Sequence, residues 1–328
     1  MSNKVNYGKA LLEGFEYLLS NHADVFVIGQ GLWSPWYVGS SMTDLDKKFG
    51  KDRVIDTPVS ELACTGAAVG ASLAGYKPIV VHPRIDFMLL AVDQIVSQAA
   101  KWHHMLGGSA TASVTIRGII NRGGEQGAQH SQALHAWFAH IPGLRVVMPA
   151  TPGDARDLLI SSVLCDSPVV FIDDRWLYEQ EDELSDIDPV PLESIRPKIL
   201  KDGEDITLVG CSYSTYLCTQ AAEALETQDV SAEVIDLRVL NPFYSDVVVK
   251  SVDKTGRLLV VDGGWPNCGM SSQVIATVAE RADLSGFRCR PRRITIPEAP
   301  APTSQALEKI YYPTSETVIR CATEMIMR

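Results

Sequence analysis

The sequence predicts an α/β protein with two domains, each containing a mostly parallel sheet. Short apolar segments of β type alternate with helix-like segments, and a polar segment rich in proline separates two such series. Most apolar segments lack strict alternation, which is typical of parallel strands covered by helices. A chain of 328 residues is long enough for roughly two domains.

The first domain is predicted over residues 1–180 and begins with an amphipathic helix, in which Glu13 and Glu16 interrupt the apolar residues. Those charges favour a helix over a signal peptide. Five strands are predicted after it: DVFVIG (24–29), KPIVV (77–81), SVTIRG (113–118), LRVVMP (144–149) and PVVFID (168–173). Helices are predicted between them, at Leu62 to Ala74, Leu89 to Met105 and Pro152 to Leu164. This alternation indicates a parallel sheet.

A linker over residues 181–200 and a second domain over residues 201–328 are predicted next. The linker belongs to YEQEDELSDIDPVPLESIRP (178–197), which is acidic, contains three prolines and has no sustained period. The second series of strands comprises DITLVG (205–210), AEVIDLR (232–238), RLLVVDGG (257–264) and RRITIP (292–297). Helices are predicted over Ser214 to Ala224 and from about Ser271.

Composition excludes several classes of function. A net charge of −11 argues against binding to nucleic acid, which requires a basic surface. The seven cysteines form no CxxC pair, which favours a reducing compartment, and we expect the cytoplasm. No apolar run reaches the roughly 18–20 residues of a membrane span.

Common cofactor motifs are absent or incomplete. The chain has no GxxxxGK[ST] phosphate loop, and Ser34 replaces the third glycine of a dinucleotide fingerprint in GQGLWS. His130, His135 and His140 are five residues apart, a spacing that spreads them around a helix. We therefore predict no metal site built by this chain.

Glu61 is the first candidate site residue, within DTPVSELACTGAAVGASLAG (56–75). The small residues that follow it predict a helix that another backbone or a flat ligand approaches closely. A carboxylate in the first turn is also favoured by the helix dipole, by about 0.3–1 kcal/mol. The residues alone leave both interpretations open.

Phe87 and His130 are further candidates. Phe87 follows the KPIVV strand, where the loops of parallel sheets contact ligands, so its ring could stack on an aromatic cofactor or be an ordinary core residue. His130 ends the glycine-rich loop in RGIINRGGEQGAQHSQ (117–132). It could transfer protons near neutral pH or begin the next helix as a structural residue.

These segments resemble a known family. In order along the chain they are DTPVSE, DF (86–87), AVDQIVSQAAK, MLGG (105–108), QHSQ, PGLRVVMPATPGDA, VIDLRVLNP (234–242), VVDGGWPNCG (260–269) and PEAPAPTSQALEKI (297–310). They resemble the beta subunit of thiamine-diphosphate-dependent 2-oxo acid dehydrogenases, the decarboxylating first component of the pyruvate and branched-chain complexes, and of acetoin dehydrogenase. The resemblance covers nearly the whole chain. It implies a transketolase-like pyrimidine-binding domain followed by a transketolase C-terminal domain.

The resemblance also implies roles for the three candidates. Glu61 would hydrogen-bond a nitrogen of the aminopyrimidine ring, Phe87 would stack on that ring, and His130 would orient the 2-oxo acid or assist acyl transfer to lipoamide. The family's GDG motif is absent from this chain. An alpha subunit would therefore hold the diphosphate and Mg²⁺ in an α2β2 heterotetramer, which in a conventional complex serves a lipoyl acyltransferase.

The chain departs from the family at two places. HPRI (82–85) replaces an acidic, aromatic-rich stretch, and the loop before QHSQ lacks the usual proline. Arg84 and Arg122 could bind an anionic substrate or acceptor, or be surface or interface residues, and Gln129 is a third candidate substrate contact.

These departures leave other functions open. One is acyl or ketol transfer to another acceptor, such as a sugar, including the role of a split transketolase C-terminal subunit. PVSEL stands where that family usually has an IAEQ-type motif. Another is a scaffold subunit without activity.

Overall fold

The computed structural model describes residues 4–327 and confirms the predicted α/β class. The described residues form two compact units. The first unit consists of residues 4–121 and 138–195, and the second of residues 122–137 and 196–327. Residues 122–137, which include the QHSQ segment, thus group with the C-terminal half of the chain, although they lie within the sequence range of the first predicted domain.

Within the described residues, eight strands belong to the first unit. They are β1 (Lys4–Asn6), β2 (Val25–Gly29), β3 (Val54–Asp56), β4 (Lys77–His82), β5 (Thr115–Ile120), β6 (Arg145–Val147), β7 (Val169–Asp174) and β8 (Glu181–Glu183). Six of them run parallel in the order β6-β7-β5-β4-β2-β3. Because the strands are parallel, their carboxyl ends meet at one edge of the sheet. β8 lies within the predicted linker and pairs antiparallel with β1.

The predicted helices of this half of the chain are observed with one exception, and the short helices at Leu45–Phe49, Ile85–Met88 and His135–Ala139 were not predicted. The observed helices are α1 (Tyr7–Asn21), α2 (Leu45–Phe49), α3 (Glu61–Leu73), α4 (Ile85–Met88), α5 (Trp102–Met105), α6 (His135–Ala139) and α7 (Pro152–Leu164). The prediction of one helix from Leu89 to Met105 was wrong. A 3₁₀ turn and a π-helix at Asp93–Ala99 precede α5, and the Ala100 N–H bonds to the Ile95 carbonyl five residues back.

A buried ion pair joins β5 to β7 inside the first unit. Arg117 Nε lies 2.9 Å from Asp173 Oδ1, and Arg117 Nη2 lies 3.0 Å from Asp173 Oδ2. Both side chains are fully buried. Removing one partner of such a pair leaves an uncompensated buried charge and strongly destabilises a protein. The pair therefore ties the middle of β5 to β7.

The second unit is built on a five-stranded sheet in the order β14-β13-β10-β11-β9, in which only β9 is antiparallel among the described strands. The strands of this unit are β9 (Lys198–Lys201), β10 (Ile206–Gly210), β11 (Ala232–Asp236), β12 (Val239–Asn241), β13 (Leu258–Val261) and β14 (Arg292–Ile294), and β12 is not part of the five-stranded sheet. Its helices are α8 (Tyr213–Glu226), α9 (Asp246–Thr255), α10 (Met270–Arg281), α11 (Gln305–Tyr311) and α12 (Ser315–Ile326).

Residues 4–327 contain neither a candidate membrane-spanning helix nor a candidate cluster of metal ligands. None of the helices in that range is long and apolar enough to cross a membrane. No group of three or more His, Cys, Asp or Glu side chains in that range could hold a metal ion.

Candidate active site

Glu61 is the first residue of α3, at the edge of the first unit's sheet where β2, β3 and β4 end. Its side chain is largely buried, with 9% of the residue surface exposed. This position keeps both interpretations of the carboxylate open. It lies in the first turn, where the helix dipole favours negative charge, and it also lines a depression.

A depression beside Glu61 is open to solvent. It is lined by Gly29, Gln30, Thr57, Pro58, Ser60, Glu61, Cys64, Val80, Val81 and His82. None of these residues is a lysine or an arginine. The carboxylate therefore faces small, uncharged and weakly polar groups.

His82 ends β4 and forms one side of the depression. It is 3% exposed, and its Nε2 lies 3.2 Å from the hydroxyl of Thr65, one helical turn after Glu61. Burial lowers the pKa of His82 to about 4, so the ring is neutral at neutral pH. Sequence reasoning treated His82 only as a departure from the family. Its place at the end of a predicted strand was the signal that it faces the site.

The outer face of α3 carries small residues, as the sequence predicted. Ala63, Ala67 and Gly70 are exposed. A Cβ added to Gly70 would meet no atom of the described residues within 4 Å. This face is open to close approach, which is what the interpretation of the stretch after Glu61 requires.

Phe87 and Arg84 also belong to the first unit. Phe87 lies in the short helix α4 and is half-buried, so its ring is not fully enclosed in the core. Arg84 is also half-buried, and its Nη1 donates to the carbonyl of Asn121 at 3.2 Å. The substrate role of Arg84 stays a prediction.

Arg122, Gln129 and His130 belong to the second unit. Arg122 is buried, its Nη1 donates to the Gly263 carbonyl at 3.1 Å, and its guanidinium lies 5.8 Å from the ring centroids of both Tyr213 and Tyr312. These contacts give Arg122 a structural role, and its substrate role stays a prediction.

Gln129 and His130 lie in a single 3₁₀ turn, Ala128–His130. Gln129 is exposed and His130 is half-buried. The structure thus places Glu61, Phe87 and Arg84 in one unit, and Arg122, Gln129 and His130 in the other.

His135, five residues after His130, forms a buried pair with Asp262 that was not predicted from the sequence. His135 Nε2 is 2.9 Å from Asp262 Oδ1, and both side chains are almost fully buried. Burial alone would raise the pKa of Asp262, but the charge and hydrogen bond of His135 and two backbone N–H groups lower it to about 2. Asp262 belongs to the VVDGG motif, but its partner is 127 residues away, beyond any local pattern.

Comparison with known families agrees with this architecture. Residues 3–180 match the pyrimidine-binding domain of transketolase, and residues 196–318 match the transketolase C-terminal domain. The beta subunit of acetoin:2,6-dichlorophenolindophenol oxidoreductase from Cupriavidus necator is 34% identical, over 98% of this chain and 97% of that protein. The mitochondrial pyruvate dehydrogenase E1 component subunit beta of Caenorhabditis elegans is 36% identical, over 92% of this chain and 83% of that protein. The chain belongs to this family of beta subunits.

The fold of this beta subunit is also that of a solved structure. A split-gene transketolase, described as an inactive beta4 tetramer, superimposes with a TM-score of 0.76 over 98% of this chain and 97% of that chain, at 21% identity. The predicted transketolase-like fold is therefore confirmed. Relatives of the beta subunit include proteins named as mitochondrial, so the cytoplasmic location stays a prediction.

Proposed function

We propose that this beta subunit, together with an alpha subunit, forms the thiamine-diphosphate-dependent component that decarboxylates a 2-oxo acid and transfers the acyl group, typically to lipoamide. The observation that supports this most directly is Glu61. Its carboxylate is largely buried beside an open depression whose lining residues carry no positive charge. A buried carboxylate needs a hydrogen-bond donor or a charge partner, and a protonated ring nitrogen of a ligand supplies one.

The residues around Glu61 fit an aminopyrimidine ring. Glu61 would share a proton with a ring nitrogen, and the exposed small residues of α3 leave room for a flat group. Neutral His82 adds no charge that would compete for the carboxylate. Phe87 would stack on the ring, since its own ring is partly exposed.

Thiamine diphosphate, when bound, would supply a nucleophilic carbon and a positively charged thiazolium ring that takes up the electron pair released by decarboxylation. This chain's remaining contribution is His130, which would hydrogen-bond the 2-oxo acid and orient it, or carry a proton during acyl transfer. Arg84, Arg122 and Gln129 remain candidates for contact with the substrate or the acceptor.

We assign the diphosphate and Mg²⁺ to an alpha subunit, because the GDG motif is absent from this sequence. The proposed assembly is an α2β2 heterotetramer, active only as the complex and located in the cytoplasm. A lipoyl acyltransferase would be the acceptor partner in a conventional complex. Relatives whose names include pyruvate dehydrogenase and acetoin oxidoreductase support this class of reaction.

The test is reconstitution with an alpha subunit that contains the GDG motif. Dye reduction is measured with pyruvate, branched-chain 2-oxo acids, acetoin and a ketose phosphate, with and without thiamine diphosphate. We expect cofactor-dependent activity with pyruvate or a branched-chain 2-oxo acid. Activity with acetoin alone, which has no carboxylate to lose, would contradict decarboxylation. Activity with only the ketose phosphate would favour the transketolase alternative, and no cofactor-dependent activity with any substrate would contradict the proposal.

The role of Glu61 is tested in the same complex with Glu61→Gln. Removing a group that transfers protons lowers turnover by about 10²–10⁴-fold. Glu179→Gln is a matched control, because Glu179 is exposed in the same unit and does not line the depression. Full activity of Glu61→Gln would remove Glu61 from the mechanism while leaving the family assignment intact.

A further inference from the structure

The loop that carries His130 has little regular structure of its own. Gly123, Gly124, Glu125 and Gly127 all have positive φ angles, between 61° and 78°. Residues 124–126 and 128–129 are exposed. An irregular loop of this kind depends on contacts with the rest of its unit to hold one conformation.

Both ends of this loop bind the same short turn. We call Asp262, Gly263 and Gly264, which follow β13, the DGG turn. At the start of the loop, Arg122 Nη1 donates to the Gly263 carbonyl at 3.1 Å. At its end, His135 Nε2 lies 2.9 Å from Asp262 Oδ1. All of these residues belong to the second unit.

The DGG turn is itself firmly held. Asp262 Oδ1 accepts the N–H of Gly264 and Oδ2 accepts the N–H of Ser271 in the first turn of α10, both at 2.9 Å. The Asp262 N–H donates to the Ile294 carbonyl of β14, and the Ile296 N–H donates to the Gly264 carbonyl. The turn is thus connected to a strand and a helix of the unit core, and it provides a fixed support.

The two glycines of the turn leave room for the two side chains. A Cβ on Gly263 would lie 2.8 Å from Arg122 Nη1. A Cβ on Gly264 would lie 3.1 Å from Cε1 of His135. Neither distance fits an ordinary van der Waals contact, so the glycines accommodate the residues that bind the turn.

The His135 ring depends on Asp262 for its orientation. His135 is 0% exposed, and among the described residues its Nδ1 meets no hydrogen-bond partner. A buried imidazole with a single polar contact loses its fixed orientation when that contact is removed.

We propose that the DGG turn clamps the His130 loop, and that Arg122 and His135 are positioning residues for His130. The clamp is a property of this chain and stands without an assigned reaction. Its importance for turnover rests on the proposed function, in which His130 contacts the substrate.

The clamp is tested by hydrogen–deuterium exchange of the full-length chain, followed in peptides that cover residues 122–134. In His135→Phe, which removes the hydrogen bond but keeps a ring, we expect exchange in these peptides to be about ten- to a hundredfold faster. Peptides of β10 and β13 should keep their protection. His135→Gln, whose amide can still donate to Asp262, should restore most of the protection.

His140→Phe is the matched control, since His140 is exposed and lies only five residues further along the chain. Unchanged exchange of the loop in His135→Phe would overturn the proposal. So would an equal loss of protection in β10 and β13, which would indicate a general structural role. If His135→Phe does not fold, two other variants decide. His135→Leu is smaller and also lacks a donor, so the proposal requires faster loop exchange in it, whereas His135→Gln should show near-normal exchange.

A kinetic measurement separates the clamp from the proposed reaction. In the reconstituted complex, His135→Phe should lower kcat while the affinity for thiamine diphosphate stays close to that of the wild type. If the wild-type complex shows no activity, the proposed function fails, but the exchange result still decides whether the clamp exists.

Discussion

Glu61 and His130, the two proposed catalytic side chains, are supported by different kinds of structure. Glu61 begins a helix at the end of parallel strands, where backbone hydrogen bonds between β2, β3 and β4 set its position. His130 lies in an irregular loop whose ends are held by the side chains of Arg122 and His135. The first region should thus be sensitive to displacement of its backbone, and the second to loss of its side-chain contacts.

The same glycine-to-alanine substitution in each region tests this difference. A Cβ on Gly29, at the end of β2, would lie 2.3 Å from the backbone oxygen of Val81 in β4. Because neither strand can move without breaking the sheet, we expect Gly29→Ala to lower the free energy of unfolding by about 3 kcal/mol. A Cβ on Gly264 would lie 3.1 Å from Cε1 of His135, and this side chain can shift slightly. We therefore expect Gly264→Ala to lower the free energy of unfolding by less than about 1 kcal/mol.

Urea unfolding of the two variants measures the loss in free energy of unfolding. Hydrogen–deuterium exchange of residues 122–134 measures how well the His130 loop is protected. Gly264→Ala should speed exchange in the loop although the chain remains nearly as stable as the wild type. If both variants lose the same stability and neither changes the loop, the distinction between a backbone-built site and a side-chain clamp is wrong.

The same distinction explains which features could be predicted from the sequence. The strand that ends at His82 and the helix that begins at Glu61 follow from local patterns of apolar residues and small residues. The pair of His135 and Asp262 joins residues 127 positions apart, and no local pattern encodes such a contact. Local patterns therefore predicted the strand and the helix that border Glu61, whereas the contacts that hold the His130 loop required the tertiary structure.

Local geometry was also missed where packing overrides periodicity. The segment after Phe87 has a helical pattern, yet it contains a π-helix at Asp93–Ala99. A Cβ on Gly143 would lie 2.0 Å from the Ala100 carbonyl, so another part of the backbone packs tightly against the end of this wide turn. Periodicity predicts that a segment is helical but does not distinguish hydrogen bonding to the fourth residue from bonding to the fifth.

The next largest effect is a loss of stability at low pH, caused by His82 beside Glu61. The pKa of His82 falls from its ordinary value of 6.5 to about 4 in the folded chain. Between these values the unfolded chain binds the proton more readily, so the stability from neutral His82 is full above the unfolded pKa and is lost as the pH falls towards 4. Lowering the pH from about 7.5 to about 5 should cost about 2 kcal/mol through this residue.

His82→Phe removes that titration. Urea unfolding at the two pH values gives the free energy of unfolding that is lost between about pH 7.5 and about pH 5. In His82→Phe this loss should be smaller than in the wild type by about 2 kcal/mol. The comparison uses the difference between pH values, so the separate effect of losing the Thr65 contact cancels. His140→Phe, at an exposed histidine, is the control and should keep the wild-type loss. An unchanged loss in His82→Phe would show that His82 is not buried as a neutral ring.

The smallest expected effect concerns the tip of the His130 loop, where Glu308 of α11 accepts the backbone N–H of Glu125 at 2.9 Å. Glu308→Ala removes one hydrogen bond, worth about 0.5–1.5 kcal/mol, so exchange at the tip should be about two- to tenfold faster. Glu308→Gln keeps a carbonyl acceptor and should retain slow exchange. Because Arg122 and His135 still bind the DGG turn in both variants, peptides at the ends of the loop should keep their protection. Fast exchange throughout residues 122–134 in Glu308→Ala would mean that α11, rather than the DGG turn, is the main support of the loop.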